Sequence, residues 1–303
     1  MSPIPANAAT LWRSARPPFL LLSLACVFLG ASAAMAAGAS PEPGTLALTL
    51  LGALAAHIAV NSHNEYLDFT SGLDLRTART PFSGGSGALP AAPQQAPAVL
   101  RLSRASLALT LLIGAWAVVT RGWGIAPLGL AGVALILSYT GPLNRRPWLC
   151  LIAPGTGFGL LMVSGSSYLL AGQHLASAWL AALLAFFLVN NLLLLNQFPD
   201  VDADRSVGRR HFVIAYGARR ASDVYAASLL ACALLLALAV AASALPPTTL
   251  LGLPPLLLGV IAWRGARRHG EKLGGQPHFL AANVAATLLT PTLLGVGLLI
   301  AAT

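Results

Sequence analysis

The acidic residues of this 303-residue chain are few and grouped. All nine except Glu42 and Glu271 fall near two points, one holding Glu65, Asp68 and Asp74, the other Asp200, Asp202 and Asp204 with Asp223 at its margin. The first group stands in Asn61-Ser62-His63-Asn64-Glu65-Tyr66-Leu67-Asp68 and continues to Gly72-Leu73-Asp74. The second stands in Asn196-Gln197-Phe198-Pro199-Asp200-Val201-Asp202-Ala203-Asp204, followed by Gly208-Arg209-Arg210. In each, an asparagine precedes an aspartate by four positions, a spacing that puts both side chains on one helical face. Pro199 is expected to end or kink the helix that carries the second group.

Two facing carboxylate clusters beside arginines suit a diphosphate held through Mg2+, a cation that prefers oxygen ligands and takes one or two carboxylates together with substrate phosphates. The metal candidates are Asp68, Asp74, Asp200, Asp202 and Asp204, and Asn64, Asp68, Asp200 and Asp204 form the candidate catalytic set. Asn196 is a substrate-binding candidate. Arg79, Arg145, Arg146, Arg209 and Arg210 are the nearest candidates for bidentate contact with phosphate oxygens. Plainer roles compete at each position: capping or loop solvation for the aspartates, and interhelical hydrogen bonding for Asn64 and Asn196. The stretch Pro81 to Gly87 reads either as a backbone nest for phosphate or as a flexible linker. His57 and His63 read as satisfied core histidines, and Cys26, Cys150 and Cys232 as small core residues.

The elements that position these groups must lie in a membrane. The chain is 56% hydrophobic and 9% charged, against roughly 25% charged residues in soluble domains. Nine apolar runs predict transmembrane helices, at 17–37, 44–63, 105–120, 124–140, 149–171, 176–198, 222–244, 247–263 and 279–301. They are continuously apolar and do not alternate, which excludes a β-barrel. The first run follows Arg13 and Arg16 and resembles a signal peptide, but its apolar core exceeds the usual h-region of roughly 7–15 residues and it is kept as a helix.

With the N-terminus cytoplasmic, every one of the 18 basic residues except Arg121 falls on the cytoplasmic side. The net charge of +9 is therefore a topology signal and offers no separate nucleic-acid-binding domain. Arg264, Arg267, Arg268 and Lys272 are expected to meet anionic lipid headgroups. The expected architecture is all-α, a single polytopic unit over 1–303 in the inner (plasma) membrane. It has a cytoplasmic tail at 1–16 and cytoplasmic active-site loops at 65–104 and 199–221. The matched Asn-x-x-x-Asp spacings predict an internal duplication: two four-helix units plus a ninth helix around a central cavity.

These motifs resemble those of the UbiA superfamily of intramembrane aromatic prenyltransferases, with Asp200 and Asp204 matching its second Asp-x-x-x-Asp motif. NEYLDFTSGLD at 64–74, NQFPDVDADRSVGRR at 196–210, Tyr139-Thr140 and GFGLLMVSGSSYLLAG at 157–172 resemble the branch that prenylates 1,4-dihydroxy-2-naphthoate in menaquinone synthesis. The resemblance covers about residues 45 to 300. It departs from the family at Glu65, where relatives often carry Asp, and after Tyr139, where the nearest basic residues are displaced to Arg145 and Arg146. It implies a polyprenyl diphosphate donor, an aromatic acceptor, Mg2+, and Tyr139 as a substrate-binding residue. It also implies ionisation of the allylic C–O bond followed by attack of the electron-rich ring. Tyr66, Phe69, Tyr139, Phe158 and Phe198 are aromatic enough to face an allylic cation, and ordinary packing competes for each.

Two other classes fit less well. An ion-coupled transporter would place a carboxylate near the midplane, and the acids here gather at one membrane face. A CDP-alcohol phosphotransferase also uses clustered aspartates and Mg2+, but its Asp-Gly…Ala-Arg pattern is absent. Within the superfamily the acceptor alternatives are 4-hydroxybenzoate, homogentisate, a chlorophyll precursor, haem and a glyceryl lipid.

Overall fold

Backbone polar groups in hydrocarbon must bond within their own segment, so the long apolar runs fold as helices. The computed structural model describes residues 7–303 and, among them, contains helices and no strand. In chain order these are α1 (Ala8–Ala15), α2 (Pro17–Ala36), α3 (Pro43–Thr70), α4 (Ala88–Ala91), α5 (Ala96–Arg121), α6 (Ala126–Ser138) and α7 (Pro147–Gly155). There follow α8 (Ser164–Ala171), α9 (Ala176–Asn196), α10 (Val201–Ser206), α11 (Phe212–Ala241), α12 (Leu256–His269) and α13 (Pro277–Ala302). Among the described residues eight segments are long and apolar enough to cross a bilayer, and the expected fourth crossing is the shorter Trp123–Ser138. Helix α6 itself has 13 residues, about 20 Å at 1.5 Å per residue, less than a hydrocarbon core of about 30 Å. Large apolar side chains such as Leu112, Val119, Leu130, Leu238 and Leu257 are turned outward, as expected of a surface solvated by lipid tails.

Three sequence expectations change. The expected tail at 1–16 holds a helix over Ala8–Ala15, because the Asn7 side chain accepts the Ala9 N–H at 3.0 Å and caps it; residues 1–6 lie outside the described residues. The expected loop at 65–104 begins inside α3, which runs on to Thr70 and stops where Gly72 turns to φ +78°. Glu65 and Asp68 therefore ride on a helix. The expected loop at 199–221 contains α10 and the first part of α11, which is broken at Gly217 (φ +83°, ψ 159°).

Each helix packs on a neighbour in a closed circuit. It passes from α2 to α3, α5 and α6, across the 156–163 segment to α9, then through α11 and α12 to α13, which returns to α2. Between α7 and α8 the chain is π-helical over Thr156–Val163. Pro154 sits inside α7 and lacks the N–H its turn would use, and π-helical stretches concentrate at functional sites. Gly159 permits this segment to lie directly on the α9 backbone, where a Cβ would strike Phe186.

Candidate active site

The circuit encloses a cavity of about 360 Å³. Its upper wall is built from the two carboxylate motifs, at the end of α3 and beyond the end of α9. Asn64, Asp68, Asp74, Asn196, Asp200 and Asp204 all line it, with Tyr139, Gln197, Arg209 and Arg16. Below them the wall turns apolar, through Leu22, Leu135, Ile136, Met162, Leu192 and Leu288 among others. Helical spacing does the positioning on α3, since His57, Asn61, Asn64 and Asp68 form one stripe and each lines the cavity. Asn61 and Asn64 are oriented by the Ala15 carbonyl (3.0 Å) and the Thr140 hydroxyl (3.2 Å), to which their amide N–H groups donate.

One arginine joins the two motifs. Arg209 donates from Nη2 to Asp68 and from Nη1 to Asp204 at 2.8 Å. Asp204 Oδ2 also lies 3.1 Å from His211 Nε2. The segment 80–87 is not a free linker: Ser83 Oγ donates to Asp200 at 3.2 Å, and the Ser86 N–H donates to Glu65 at 3.1 Å. Gly85 (φ +76°) lies so close to Asp74 that a Cβ there would stand 2.7 Å from Asp74 Oδ1, which excludes any side chain from this part of the cavity roof. Glu65 is fully buried, held by Ser86 and by Arg16 at 3.4 Å.

Several candidates read from the sequence do not line the cavity. Asp202 is exposed and faces Arg205 at 3.4 Å. Arg145 and Arg146 are exposed because the turn at 143–145 points Asn144 inward, where its side chain donates to the Thr140 carbonyl. Arg210 is exposed, and its backbone N–H donates to the Asn144 carbonyl at 2.9 Å. Arg79 is exposed, with its guanidinium over Gly87. Sequence reasoning missed Arg16, Gln197 and His211. Arg16 was legible in principle, since it precedes Pro17-Pro18 at the membrane face that carries the aspartates.

The donor chemistry suits a hard dication completed by oxygens from elsewhere, since among the described residues no three carboxylates gather closely enough to hold an ion by themselves. The donors are oxygens, and Asp74 Oδ2 and Asn196 Oδ1 are buried without a hydrogen-bond partner among the described residues, a costly arrangement that a ligand relieves. Burial raises the Asp74 carboxyl to about 7, helped by the charges of Glu65 and Asp68. Burial and the charge of Asp204 raise Asp200 to about 7 as well. Both stand above the ordinary 3.8, so the folded protein keeps protons that the unfolded chain has released. Their contribution to stability is complete below about pH 4 and is lost as pH rises through 7. A cation must displace those protons, so affinity for Mg2+ is expected to rise from pH 6 to pH 8. Calorimetric Mg2+ titrations in buffers of different ionisation enthalpy measure the released protons, and pH-independent affinity would refute this.

The fold and the site together define a multi-pass membrane protein whose apolar cavity is capped by two aspartate motifs. The model of the UbiA prenyltransferase family matches residues 23–284, and the chain belongs to that family. It is 31% identical over 221 residues to the 1,4-dihydroxy-2-naphthoate octaprenyltransferase of Bacillus subtilis (strain 168), covering 72% of this chain and 69% of that one. With the protein of the same name from Haemophilus influenzae it shares 28% identity over 235 residues, 76% of each chain. Its fold matches the solved structure of a UbiA homolog from Archaeoglobus fulgidus bound to DMAPP and Mg2+. That match has a TM-score of 0.68 at 17% identity and covers 96% of this chain and 99% of the other.

Proposed function

We propose that this protein transfers a prenyl group from a polyprenyl diphosphate to 1,4-dihydroxy-2-naphthoate, giving a demethylmenaquinone precursor. The observation that carries this reading is the cavity itself: a carboxylate-lined head for a diphosphate, continuous with an apolar interior for a prenyl chain. The names of the similar proteins support the acceptor. Asp68, Asp74, Asp200 and Asp204 would hold Mg2+, with Asn64 and Asn196 beside them. Bound there, Mg2+ neutralises charge on the departing diphosphate.

The chain's own residues do the rest. Arg209 and Arg16 face the diphosphate oxygens, and the roof segment 80–87 keeps water from the reacting carbon. As the allylic C–O bond breaks, its electron pair leaves with the diphosphate. An acceptor ring carbon forms the new C–C bond, and the ring proton is lost to restore aromaticity. Tyr139 lines the cavity where its ring can face the developing positive charge.

The orientation supported by the basic residues puts the aspartate motifs on the cytoplasmic side of the inner membrane, amid membrane lipids. A reporter fused after Thr303 would then read out on the far side. The acceptor is tested by competition. Membranes containing the protein, given 1,4-dihydroxy-2-naphthoate, 4-hydroxybenzoate, homogentisate and one prenyl diphosphate, are expected to prenylate the naphthoate in clear preference. Preferential prenylation of 4-hydroxybenzoate or homogentisate would overturn the acceptor and leave the transferase reading standing.

A further inference from the structure

His57 is buried, lines the cavity, and is only half satisfied by the protein. Its Nδ1 lies 2.8 Å from Ser23 Oγ. Ser23 is fully buried and its hydroxyl has no other partner among the described residues. If Nδ1 carried the proton, the Ser23 hydroxyl proton would be buried without an acceptor, which costs more than the alternative. The network therefore assigns Ser23 as donor to Nδ1 and leaves the imidazole proton on Nε2. That Nε2–H has no protein acceptor among the described residues and is open to the cavity.

The ring is held still. Phe158 packs against it in a T-shaped pair, with centroids 4.6 Å apart at 66°, and Phe158 stands on the π-helical segment Thr156–Val163. On the α3 stripe, His57 precedes Asn64 by two turns, about 10 Å, and Asp68 by three, about 16 Å. A diphosphate at Asp68 leaves room below it for an allylic carbon and then a flat ring, with His57 at the ring's far edge. The cavity lining includes apolar Leu22, Val60, Ile136 and Met162, with Asn61 one helical turn nearer the aspartates, its amide already donated to the Ala15 carbonyl. A fixed N–H in such a wall recognises one oxygen substituent of an aromatic molecule.

We propose that His57, held by Ser23 and Phe158, donates a hydrogen bond from Nε2 to an oxygen substituent of the aromatic acceptor. It thereby sets the depth and rotation of the ring beneath the allylic carbon. This rests on the prenyl-transfer reading above and adds a residue that recognises the acceptor. Ser23 is a positioning residue, because it fixes which nitrogen carries the proton.

The test uses the full-length protein in detergent with Mg2+ and geranyl diphosphate. The acceptor is 1,4-dihydroxy-2-naphthoate, and the 1-hydroxy and 4-hydroxy monohydroxy-2-naphthoates serve as competing ligands. His57→Leu is expected to raise the acceptor KM about tenfold while the KM for geranyl diphosphate stays within about twofold. The wild type should bind one monohydroxy analogue about tenfold more weakly than the other, and His57→Leu should lose that discrimination. His57→Gln, which keeps an N–H donor at similar reach, should recover most of both. An unchanged acceptor KM in His57→Leu overturns the proposal, and so does a joint rise of both KM values that Gln does not repair. Wild-type protein that prenylates no aromatic acceptor overturns the transferase reading along with it, so the two failures are distinguishable.

Discussion

Replacing Asp68, Asp200 or Asp204 by alanine is expected to lower turnover about a hundredfold or more while leaving the protein in the membrane. The three carboxylates line one cavity but come from different elements: Asp68 from the last turns of α3, Asp200 from the turn after α9, and Asp204 from α10. None lies in the apolar stretch that drives insertion of its helix, so recovery in the membrane fraction should match the wild type. Asp202→Ala is the internal control. Its side chain is 90% exposed and faces Arg205, so its rate should stay within about twofold of the wild type, as for surface substitutions generally. Initial rates over a Mg2+ series, beside membrane-fraction recovery, measure all four. Normal rates in any two of the three alanine variants would end the diphosphate-site reading.

The contrast between Asp202 and its neighbours shows where sequence stops. Asn-x-x-x-Asp spacing is a statement about one helical face, and it holds for Asn64 and Asp68 on α3; Asn196 ends α9 and Asp200 lies beyond it, so that pair shares the cavity without sharing a helical face. The apolar runs likewise located nine helical segments, because a membrane leaves the backbone few other options. Asp200, Asp202 and Asp204 are different. They cross a turn at Pro199 and enter the six-residue α10, and there the facing of a side chain depends on the local dihedral angles, which residue spacing does not determine.

The arginines were least legible. A cytoplasmic arginine obeys the positive-inside rule whether or not it touches substrate, so composition ranked Arg79, Arg145 and Arg146 with Arg209. It left Arg16 to the topology argument alone. Tertiary packing decides among them: Asn144 turning inward forces its arginine neighbours outward, and the left-handed Arg16 (φ +53°) brings its side chain back over the cavity. His57 shows the same limit. From sequence it reads as a satisfied core histidine, and only the Ser23 contact reveals which nitrogen is left for another partner.

Arg209 and Arg210 are adjacent and chemically identical, and their alanine variants are expected to behave very differently. The Arg209 side chain is 17% exposed and its two terminal nitrogens reach Asp68 and Asp204. Burial works against its charge, but those two carboxylates hold its pKa above the ordinary arginine value. Arg209→Ala leaves two largely buried carboxylates facing each other without a counter-charge, and breaking a buried pair in this way typically costs about 3–5 kcal/mol. It also removes a cation that would face the diphosphate, so turnover should fall about a hundredfold or more. Arg209→Lys keeps the charge but cannot reach both carboxylates with a planar fork, so it should recover stability more than rate. Arg210 projects to the exterior and contributes only its backbone N–H to Asn144. That bond survives truncation, and Arg210→Ala should keep its rate within about twofold. Thermal unfolding in detergent and initial rates with saturating Mg2+ separate the cases. If Arg210→Ala proves as damaging as Arg209→Ala, the bridge between the two aspartate motifs is not what this part of the chain is built to hold.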